Sequence, residues 1–472
     1  PPVRSTRAGS VRKACWNHRK DAGKKEIMNE LFLKRIQTYI PDEYEAFVRS
    51  LDEKPCRAVR INSRKASPDA EKRFPHLKES PFVPGMWYVQ EQLGLHPYHI
   101  AGLLYMQEPS AGSVVQLLDV GGDDLVLDVC AAPGSKTTQI AEKIRTGMLV
   151  SNEIDPKRAQ ALLSNMERMG VSNFAVVSSD TKTLSKGLPD ASFDKILVDA
   201  PCSGEGMIKK HAAAIDEWSI ENIRLCAKRQ KEILSNIVPL LKGGGTLVYS
   251  TCTYAKEENE EIVAWVLQQF EELELADADV SFGRPGLDTE GMDAQKVRRI
   301  FPMDGGEGQF MAKFIKKGNE AEEIRSLKNE KLSKTERAFL DEQIEKPLTY
   351  FHHENGKLFM MDHPFLDLKK VKVLRQGVLV GEEKKNRFEP AHAFYMNADL
   401  RFKKKMDCTL EQMDDLMHGL QVVSDGQKGF VALAYDSYVF GFGKSDGSRL
   451  NNKIPKGLRL LEKSHIYKEV TK

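Results

Sequence analysis

The chain has 472 residues and a mass of 53.2 kDa, a length that exceeds most single compact domains and predicts several. Hydrophobic residues make up 41% and charged residues 29% of the sequence, which excludes a mostly disordered or collagen-like chain. The sequence contains no apolar run of the roughly 18 residues that a membrane-spanning helix needs, so we expect no contact with a membrane. Seven cysteines without clustered spacing argue against a disulfide scaffold. They favour a reducing compartment, and the expected location is the cytoplasm.

The formal net charge is only +2, but the charge is unevenly placed. Residues 1–25 contain eight basic residues and one acidic residue, and we expect them to form a disordered basic tail. The remainder of the chain is slightly acidic. Overall charge therefore gives no support for nucleic-acid binding, and such a function must rest on local sites.

Apolar periodicity predicts secondary structure in chain order. A helix is expected around Ile27–Ile40, a strand at Ala58–Asn62 and a second helix over Leu103–Leu118. Short apolar runs then alternate with helical segments, a pattern that predicts parallel pairing in a doubly wound sheet. The predicted strands are Leu125–Val129, Met148–Asn152, Phe174–Val177, Lys195–Val198 and Thr246–Tyr249, with helices at Ser135–Ile144, Pro156–Met169 and between the last two strands.

The pattern changes beyond Lys317. Residues 319–346 are rich in Glu and Lys, which indicates a solvated helix or linker. Apolar runs at Leu358–Met361 and Val371–Leu379 indicate a small unit. Near the end of the chain, the dipeptide Asp436-Ser437 separates two strand-like segments and predicts a β-hairpin.

The turn after the first predicted strand of the sheet has the composition of a ligand-binding loop. Ligands of doubly wound sheets bind at the carboxyl ends of the strands, where small residues allow the backbone to approach closely. The loop lacks the G-x-G-x-x-G spacing, which disfavours a pyrophosphate-bearing cofactor. The predicted cofactor loop consists of Cys130, Ala131, Ala132, Pro133, Gly134, Ser135 and Lys136.

Acidic residues follow the next strands. Glu153 ends the second strand, where a carboxylate can accept both ribose hydroxyls, and Asp180 follows the third, where it can bind an adenine amino group. Asp199 follows the fourth strand and is included in the predicted cofactor site. A single acid at such a position is as readily a helix cap, but acids at successive strand ends weaken that interpretation. The pattern indicates a cationic, ribose-bearing ligand, and we expect S-adenosylmethionine.

Two cysteines also lie at strand ends. Cys202 follows the fourth strand and Cys252 the fifth, so both are expected where the ligand crevice opens. Most buried cysteines only fill space, an interpretation that remains preferable for Cys226 and Cys56. The residues alone do not distinguish which of the two crevice cysteines is the nucleophile.

Three motifs carry a resemblance to a known family. CAAPGSK (130–136), DAPCSGEGM (199–207) and STCTYAKEENE (250–260) are similar to the motifs of the RsmF/Sun family of RNA cytosine-5 methyltransferases. The resemblance spans roughly residues 26–318. Residues 451–459 resemble the PUA-like RNA-binding domain of the bacterial RsmF branch, whose members methylate small-subunit ribosomal RNA.

The resemblance implies a fold and a reaction. The fold is α/β, a Rossmann-like methyltransferase core between an N-terminal α/β domain and a C-terminal PUA-like domain. The reaction is methyl transfer from S-adenosylmethionine to C5 of cytosine, and the resemblance to the bacterial RsmF branch indicates 16S ribosomal RNA as the substrate. C5 is a poor nucleophile until a thiolate adds at C6, so the reaction requires a reactive cysteine. By resemblance Cys252 is the nucleophile, Cys202 assists product release and Asp199 contacts the base.

The domain boundaries are predicted from these patterns together. After the tail of residues 1–25, we expect an N-terminal domain at 26–104, the methyltransferase core at 105–318, a linker and small intermediate domain at 319–399, and the PUA-like domain at 400–472.

Some segments depart from the family pattern. Residues 211–214 read His-Ala-Ala-Ala where acidic and proline residues are usual, and residues 303–304 read Met-Asp where a basic stretch is common. The target nucleotide is therefore less clearly indicated than the reaction. The basic runs that are candidates for RNA contact are Lys209-Lys210, Arg298-Arg299 and Lys403-Lys404-Lys405, although most such runs are solvated faces.

Two alternatives remain open at this stage. One is methylation of DNA or transfer RNA, and the other is a non-catalytic ribosome-assembly factor that binds RNA. The intact cysteines and acids argue against the second. We expect ribosomal RNA or the small subunit as partner, a monomer, and no metal site, because no His/Cys spacing indicates zinc.

Overall fold

The computed structural model describes residues 29–67, 70–74, 77–210, 218–385 and 387–466. Backbone contacts divide the described residues into two units, one ending at Tyr44 and the other beginning at Glu45. In the first unit, helix α1 (Glu30–Tyr39) is capped by Asn29, whose side chain accepts a hydrogen bond from the Leu31 amide at 2.9 Å. The predicted basic tail of residues 1–25 lies outside the described residues.

The second unit opens with a three-stranded antiparallel sheet in the order β2-β1-β3. The predicted helix over Leu103–Leu118 is shorter than expected, because its first turn is instead a strand. Pro109 occupies the first helical position, and the Glu108 side chain caps the helix. The elements are α2 (Tyr44–Leu51), β1 (Ala58–Ile61), β2 (Met86–Tyr88), α3 (Pro97–Ile100), β3 (Leu104–Gln107) and α4 (Pro109–Leu118).

A large sheet follows, and its five central strands are parallel in the order β6-β5-β4-β7-β8. β10 and β11 extend it antiparallel beyond β8, and β9 pairs with β11. The predicted doubly wound sheet is confirmed. Its elements are β4 (Leu125–Asp128), α5 (Ser135–Ala141), β5 (Met148–Asn152), α6 (Pro156–Met169), β6 (Phe174–Val177), α7 (Thr181–Gly187), β7 (Phe193–Asp199), α8 (Ile220–Ile237), β8 (Leu241–Thr251), α9 (Glu260–Gln269), β9 (Leu273–Ala276), β10 (Arg298–Ile300) and β11 (Gln309–Lys316).

Side chains of successive strand residues enter two separate apolar layers. On one face, Leu127 packs in a cluster with residues of α8 and α9, such as Leu234. On the other face, Val126 packs in a cluster with residues of α4, α5 and α6, such as Ile140. Because both faces are covered, the strands read as continuous apolar runs rather than alternating ones.

Two small sheets complete the chain. One has the order β12-β13-β15-β16 and the other the order β17-β19-β20-β21-β18. The predicted hairpin is confirmed: Asp436 and Ser437 both have positive φ angles, of 49° and 72°, as a two-residue hairpin turn requires. The elements are α10 (Lys334–Gln343), β12 (Tyr350–Glu354), β13 (Lys357–Met361), β14 (Val373–Gln376), β15 (Val378–Lys384), β16 (Arg387–Pro390), α11 (His392–Met396), β17 (Lys405–Asp407), α12 (Leu410–Met417), β18 (Val422–Val423), β19 (Lys428–Tyr435), β20 (Tyr438–Asp446) and β21 (Arg449–Asn452).

The C-terminal segments are joined to the rest of this unit more closely than the sequence indicates. β14, within the predicted intermediate segment 319–399, pairs antiparallel with β6 and becomes an edge strand of the large sheet. Residues of β1 and β3 share one apolar cluster with α12 and β19, as Val59 and Leu433 illustrate. The charged segment after residue 319 also contains a helix, α10, whose Phe339 and Leu340 are buried. No helix within the described ranges is long and apolar enough to cross a membrane.

Candidate active site

A cleft of about 570 Å³ opens at the carboxyl ends of the parallel strands. It lies at β4, where the chain reverses its direction of winding, which is the usual ligand position in such sheets. Predicted site residues from all five strand ends line the cleft: Cys130, Ala132, Glu153, Asp180, Asp199, Cys202 and Cys252. The other predicted loop residues, Ala131, Pro133, Gly134, Ser135 and Lys136, do not border the cleft in the described structure.

The loop after β4 owes its shape to Gly134, which precedes the first residue of α5. Its φ angle of 109° is one that residues with a Cβ rarely adopt, and a Cβ there would lie 3.1 Å from the Leu162 side chain. The Ala131 amide donates to the Asn152 carbonyl at 2.8 Å. The loop is therefore tied back onto the end of β5.

Asn152 is a buried residue of this site that the sequence analysis missed. Its side-chain amide donates to the Val129 carbonyl at 3.0 Å, and its Oδ1 accepts from the Ser179 amide at 3.0 Å. One side chain thus joins the ends of β4, β5 and β6. Its position directly before Glu153, at the end of a predicted strand, was the only available signal.

Glu153 is buried beside the cofactor loop. Its Oε1 accepts from the Asp155 amide at 3.0 Å, and its Oε2 lies 3.3 Å from Nη1 of Arg158. Arg158 also donates from Nη2 to the Ala132 carbonyl at 2.8 Å. The guanidinium therefore connects the predicted ribose-binding carboxylate to the loop after β4.

Asp180 has a different environment, on the exposed rim of the cleft. It is the N-cap of α7, and its two carboxylate oxygens accept from the amide and the hydroxyl of Thr183 at 2.9 and 2.7 Å. These hydrogen bonds lower the pKa of Asp180. The helix-cap interpretation thus applies to Asp180, although its carboxylate also borders the cleft.

Asp199 ends β7 and is surrounded by hydrogen-bond donors. Nζ of Lys136 lies 2.7 Å from Oδ2, and the Ser250 hydroxyl donates to Oδ1 at 2.7 Å. Nε2 of Gln309 lies 3.5 Å from the same oxygen. Lys136 is buried, and although burial lowers its pKa, the neighbouring carboxylate outweighs burial and the net shift is upward. The charged end of the predicted cofactor loop is therefore held against Asp199 at the end of β7.

The two crevice cysteines are in contact, with their Sγ atoms 3.3 Å apart. A hydrogen bond from the Cys202 thiol lowers the pKa of Cys252, and Lys136 lowers it further, against the effects of burial and of Asp199. The same hydrogen bond, followed by burial, raises the pKa of Cys202 well above its usual value. The pair is therefore asymmetric, since Cys252 is the sulfur that ionises more readily and the better nucleophile.

Burial disfavours the thiolate form of Cys130, the third cysteine at the cleft. Cys130 borders the same cleft, but burial raises the pKa of its thiol far above the usual range. Cys226 on α8 is likewise buried, and its pKa is raised to about 11. Only the thiolate reacts as a nucleophile, so these cysteines fit the packing role expected for Cys226.

Several basic residues suggested as RNA contacts are instead paired inside the protein. Lys209 is buried with its Nζ 3.4 Å from Oε1 of Glu307. Arg299 is buried in a bidentate ion pair with Glu260. Lys209 and Arg299 are therefore not presented to a phosphate, whereas the prediction for their neighbours Lys210 and Arg298 stays a prediction. Lys404 also pairs with Glu342, at 2.6 Å, and residues 211–214 lie outside the described residues.

The expectation of no metal site needs a qualification. Asp414 of α12 and His418, which directly follows that helix, come together with His465, and their ligand-type atoms lie within 4.8 Å of one another. His465 is far from Asp414 and His418 in the sequence, so no local spacing indicated the three-residue cluster. Nδ1 of His418 donates to the Asp414 carbonyl at 2.8 Å, so this nitrogen offers no lone pair to a metal.

Family models match four consecutive parts of the chain. The model described as 16S rRNA methyltransferase RsmB/F matches residues 115–315, and the N-terminal domain of 16S rRNA methyltransferase RsmF matches residues 28–109. The RsmF rRNA methyltransferase first C-terminal domain matches residues 338–397, and the methyltransferase RsmF PUA domain matches residues 403–460.

Known relatives are similar over nearly their whole length. A ribosomal RNA small subunit methyltransferase F of Psychromonas ingrahamii is 30% identical, over 92% of this chain and 98% of the relative. The protein of the same name from Vibrio cholerae is 32% identical, over 91% and 97%.

Solved structures share the fold. A methyltransferase homolog protein from Pyrococcus horikoshii aligns with a TM-score of 0.54 and 28% identity, over 61% of this chain and 95% of that one. NSun6 from P. horikoshii, solved with SFG, aligns with a TM-score of 0.55 and 22% identity, over 62% and 100%.

Fold, cleft and comparisons together define an S-adenosylmethionine-dependent RNA methyltransferase with a Rossmann-like core and a C-terminal PUA domain. The similarity to the curated relatives extends well beyond that core, through all four matched domains. The chain belongs to the RsmF family of ribosomal RNA methyltransferases.

Proposed function

We propose that this protein transfers a methyl group from S-adenosylmethionine to C5 of cytosine in 16S ribosomal RNA, through a covalent bond between Cys252 and C6. The observation that carries the proposal is the contact of the Cys202 and Cys252 sulfurs, 3.3 Å apart beside Asp199. The lowered pKa of Cys252 suits the nucleophile, and the raised pKa of Cys202 suits a thiol that stays protonated and assists. The small-subunit substrate follows from the names of the relatives.

The residues of the cleft suit the methyl donor. Its volume of about 570 Å³ lies within the range of ligand pockets, and the side chain of Ile154, 64% exposed at the cleft, offers an apolar surface to a flat adenine ring. Oδ1 of Asp128 is buried without a hydrogen-bond partner among the described residues, and burial raises the Asp128 pKa to about 7. Asp128 does not itself border the cleft, but a cationic donor bound there would favour the ionised form of this buried carboxylate.

We assign the donor-binding residues accordingly. Cys130 and Ala132 are the residues of the predicted loop 130–136 that border the cleft, and their backbone would contact the amino-acid part, whereas Glu153 would accept the ribose hydroxyls. Asp180, whose oxygens also cap α7, would contact the adenine amino group at the rim. Bound there, S-adenosylmethionine supplies a methyl group attached to a sulfonium, which is a good leaving group.

The chain's own residues then carry the reaction. The Cys252 thiolate forms a bond to C6, and the displaced electron pair is accepted at N3 together with a proton. The Lys136–Asp199 pair is the hydrogen-bonded acid nearest to that position, because the two side chains meet at 2.7 Å next to Cys252. The C5 carbon, now an enamine carbon, takes the methyl group.

Release reverses the addition. N3 returns its proton to the Lys136–Asp199 pair as C5 takes the methyl group, C5 then gives up its own proton to water, the C5–C6 double bond re-forms and Cys252 leaves as a thiolate. The Cys202 thiol stabilises that leaving thiolate, because its hydrogen bond lowers the Cys252 pKa, and a sulfur of lower pKa leaves faster.

The RNA substrate requires contacts beyond the cleft. A stacked cytosine must be rotated out of its helix to reach Cys252, at a cost of a few kcal/mol. We propose that the C-terminal PUA domain supplies part of the compensating affinity, through exposed residues such as Lys453 and Lys456.

Bisulfite sequencing of ribosomal RNA tests the proposed function. Cells lacking the gene should lose a 5-methylcytosine in 16S RNA, and the purified protein should restore it with S-adenosylmethionine as donor. A Cys252→Ala protein is the matched control and should not restore it. Unchanged 16S methylation after deletion, or restoration in transfer RNA alone, would contradict the proposal.

A further inference from the structure

The turn that carries Cys202 is held in place by a buried carboxylate outside the predicted site. Glu258, which follows β8, is fully buried, and its two oxygens lie 3.3 and 3.0 Å from the amide nitrogen of Ser203. Its Oε2 also accepts from Nε2 of Gln230 at 2.8 Å. Ser203 is the residue next to Cys202, so the Glu258 carboxylate binds the backbone of the turn directly after Cys202.

Gln230 of α8 binds the same turn on the other side of Cys202. Its Nε2 also donates to the Pro201 carbonyl at 3.0 Å, and its side chain is fully buried. The residues on both sides of Cys202 are therefore bound, one by Glu258 directly and the other through Gln230. These bonds hold the backbone on both sides of Cys202, whose sulfur lies 3.3 Å from that of Cys252.

The donors that hold Glu258 are neutral, which makes the carboxylate sensitive to protonation. Burial raises the pKa of Glu258 to about 7, although the hydrogen bonds from Ser203 and Gln230 lower it. Ionised, the carboxylate accepts from both amides. Protonated, it places its own hydrogen on one oxygen and loses part of that accepting capacity.

We propose that Glu258 is a positioning residue for product release, which holds the Cys202 turn against Cys252. The inference rests on the proposed function, in which Cys252 is the nucleophile and Cys202 assists its departure. Loss of the carboxylate should misplace Cys202 while Cys252 remains able to attack C6. The expected consequence is a covalent protein–RNA adduct that forms but resolves slowly, by a factor of roughly 10 to 100 for a displacement of about 1 Å.

The conservative variant Glu258→Gln keeps the shape of the side chain and removes the charge. It is incubated with substrate RNA and S-adenosylmethionine, and the adduct is quantified on a denaturing gel. Glu261→Gln, a nearby exposed glutamate on α9, is the matched control. Gln230→Leu is a second variant that loosens the same turn from the other side. We expect adduct to accumulate in Glu258→Gln and Gln230→Leu but not in the control, with unchanged affinity for S-adenosylmethionine.

A pH profile separates this role from a merely structural one. In the wild-type protein, resolution of the adduct should slow as the pH falls through about 7, because Glu258 then takes up a proton. Glu258→Gln should resolve the adduct slowly at every pH, without that transition. Other titratable groups face Glu258 and remain in both proteins: Cys202 and Glu205 after β7, Cys226 on α8, Tyr249 on β8, and Cys252.

The outcomes distinguish this inference from the proposed function. Adduct in Cys202→Ala with normal turnover in Glu258→Gln would overturn the role of Glu258 alone. Loss of both methylation and adduct in a folded Glu258→Gln protein that binds the donor would also overturn it, because attack rather than release would have failed. Full activity of Cys252→Ala would instead refute the covalent mechanism, and the inference with it.

Discussion

Nζ of Lys136 lies 2.7 Å from Oδ2 of Asp199, which joins the loop after β4 to the end of β7. The sequence places Lys136 in the predicted cofactor loop, yet its ammonium group contacts Asp199, the residue expected to contact the base. The net pKa shift of Lys136 is upward despite burial, so the side chain is a cation held next to the expected position of the base. The backbone of this loop and the end of its lysine thus belong to different halves of the site.

Replacement of Lys136 should therefore affect catalysis more than donor binding. For Lys136→Met we expect the methylation rate to fall by roughly 100-fold, a typical loss for a group that transfers or holds a proton. The affinity for S-adenosylmethionine, measured by calorimetry, should stay within a few-fold of wild type. Lys143→Met, an exposed lysine after α5, is the control. A large loss of affinity for S-adenosylmethionine at an unchanged methylation rate would instead show that Lys136 acts in cofactor binding.

Glu153 should dominate the affinity for the methyl donor. Its carboxylate is buried at the cleft, and loss of a charged hydrogen bond to ribose costs about 1.5–3 kcal/mol. Calorimetry on Glu153→Ala should show that loss, whereas Glu271→Ala on the surface should bind normally. Wild-type affinity in Glu153→Ala would exclude this site for the donor.

The reactivity of Cys252 should depend on Cys202. The hydrogen bond from Cys202 is the largest cause that lowers the Cys252 pKa, so the Cys252 thiolate persists to lower pH than a usual thiol. In Cys202→Ala that pKa should rise, and iodoacetamide modification of Cys252, measured by mass spectrometry, should slow at neutral pH. Cys226, with its pKa raised to about 11, serves as the internal reference. An unchanged pH profile in Cys202→Ala would show that the two thiols are not coupled.

Arg299 should matter for stability rather than for RNA binding. It is buried in an ion pair with Glu260, and removal of one partner leaves an unpaired buried charge. We expect Arg299→Met to lower the free energy of unfolding by about 3–5 kcal/mol in denaturant titrations. Arg298→Met removes a pair with the exposed Asp277, and should cost about 1 kcal/mol or less. Equal losses in the two variants would contradict the structural role.

The parts of the fold that follow from local pattern were predictable. The strands Met148–Asn152 and Phe174–Val177 and the helix Pro156–Met169 were predicted with the bounds that the structure shows, because apolar runs and helix signals mark them. The expectation that strand-end residues meet also follows from topology, since parallel strands present their carboxyl ends at one edge. Glu153, Asp199 and the cysteine pair were found in this way.

Other features depend on contacts between distant segments, which no local pattern contains. The partner of Lys209 is Glu307, about a hundred residues away, so the sequence could not show that Lys209 is enclosed. The addition of β14 to the large sheet likewise depends on an edge that only the folded core exposes. Glu258 lies in the motif 250–260, but the sequence does not show that its carboxylate binds the backbone next to Cys202, on which its proposed positioning role depends.

The central claim is that Cys252 attacks the base and Cys202 assists its release. Each single alanine variant is incubated with substrate RNA and S-adenosylmethionine and run on a denaturing gel. Cys252→Ala should form neither product nor adduct, whereas Cys202→Ala should accumulate a protein–RNA adduct that survives denaturation. An adduct in Cys252→Ala but not in Cys202→Ala would reverse the two roles, and turnover near wild type in both would contradict the covalent mechanism.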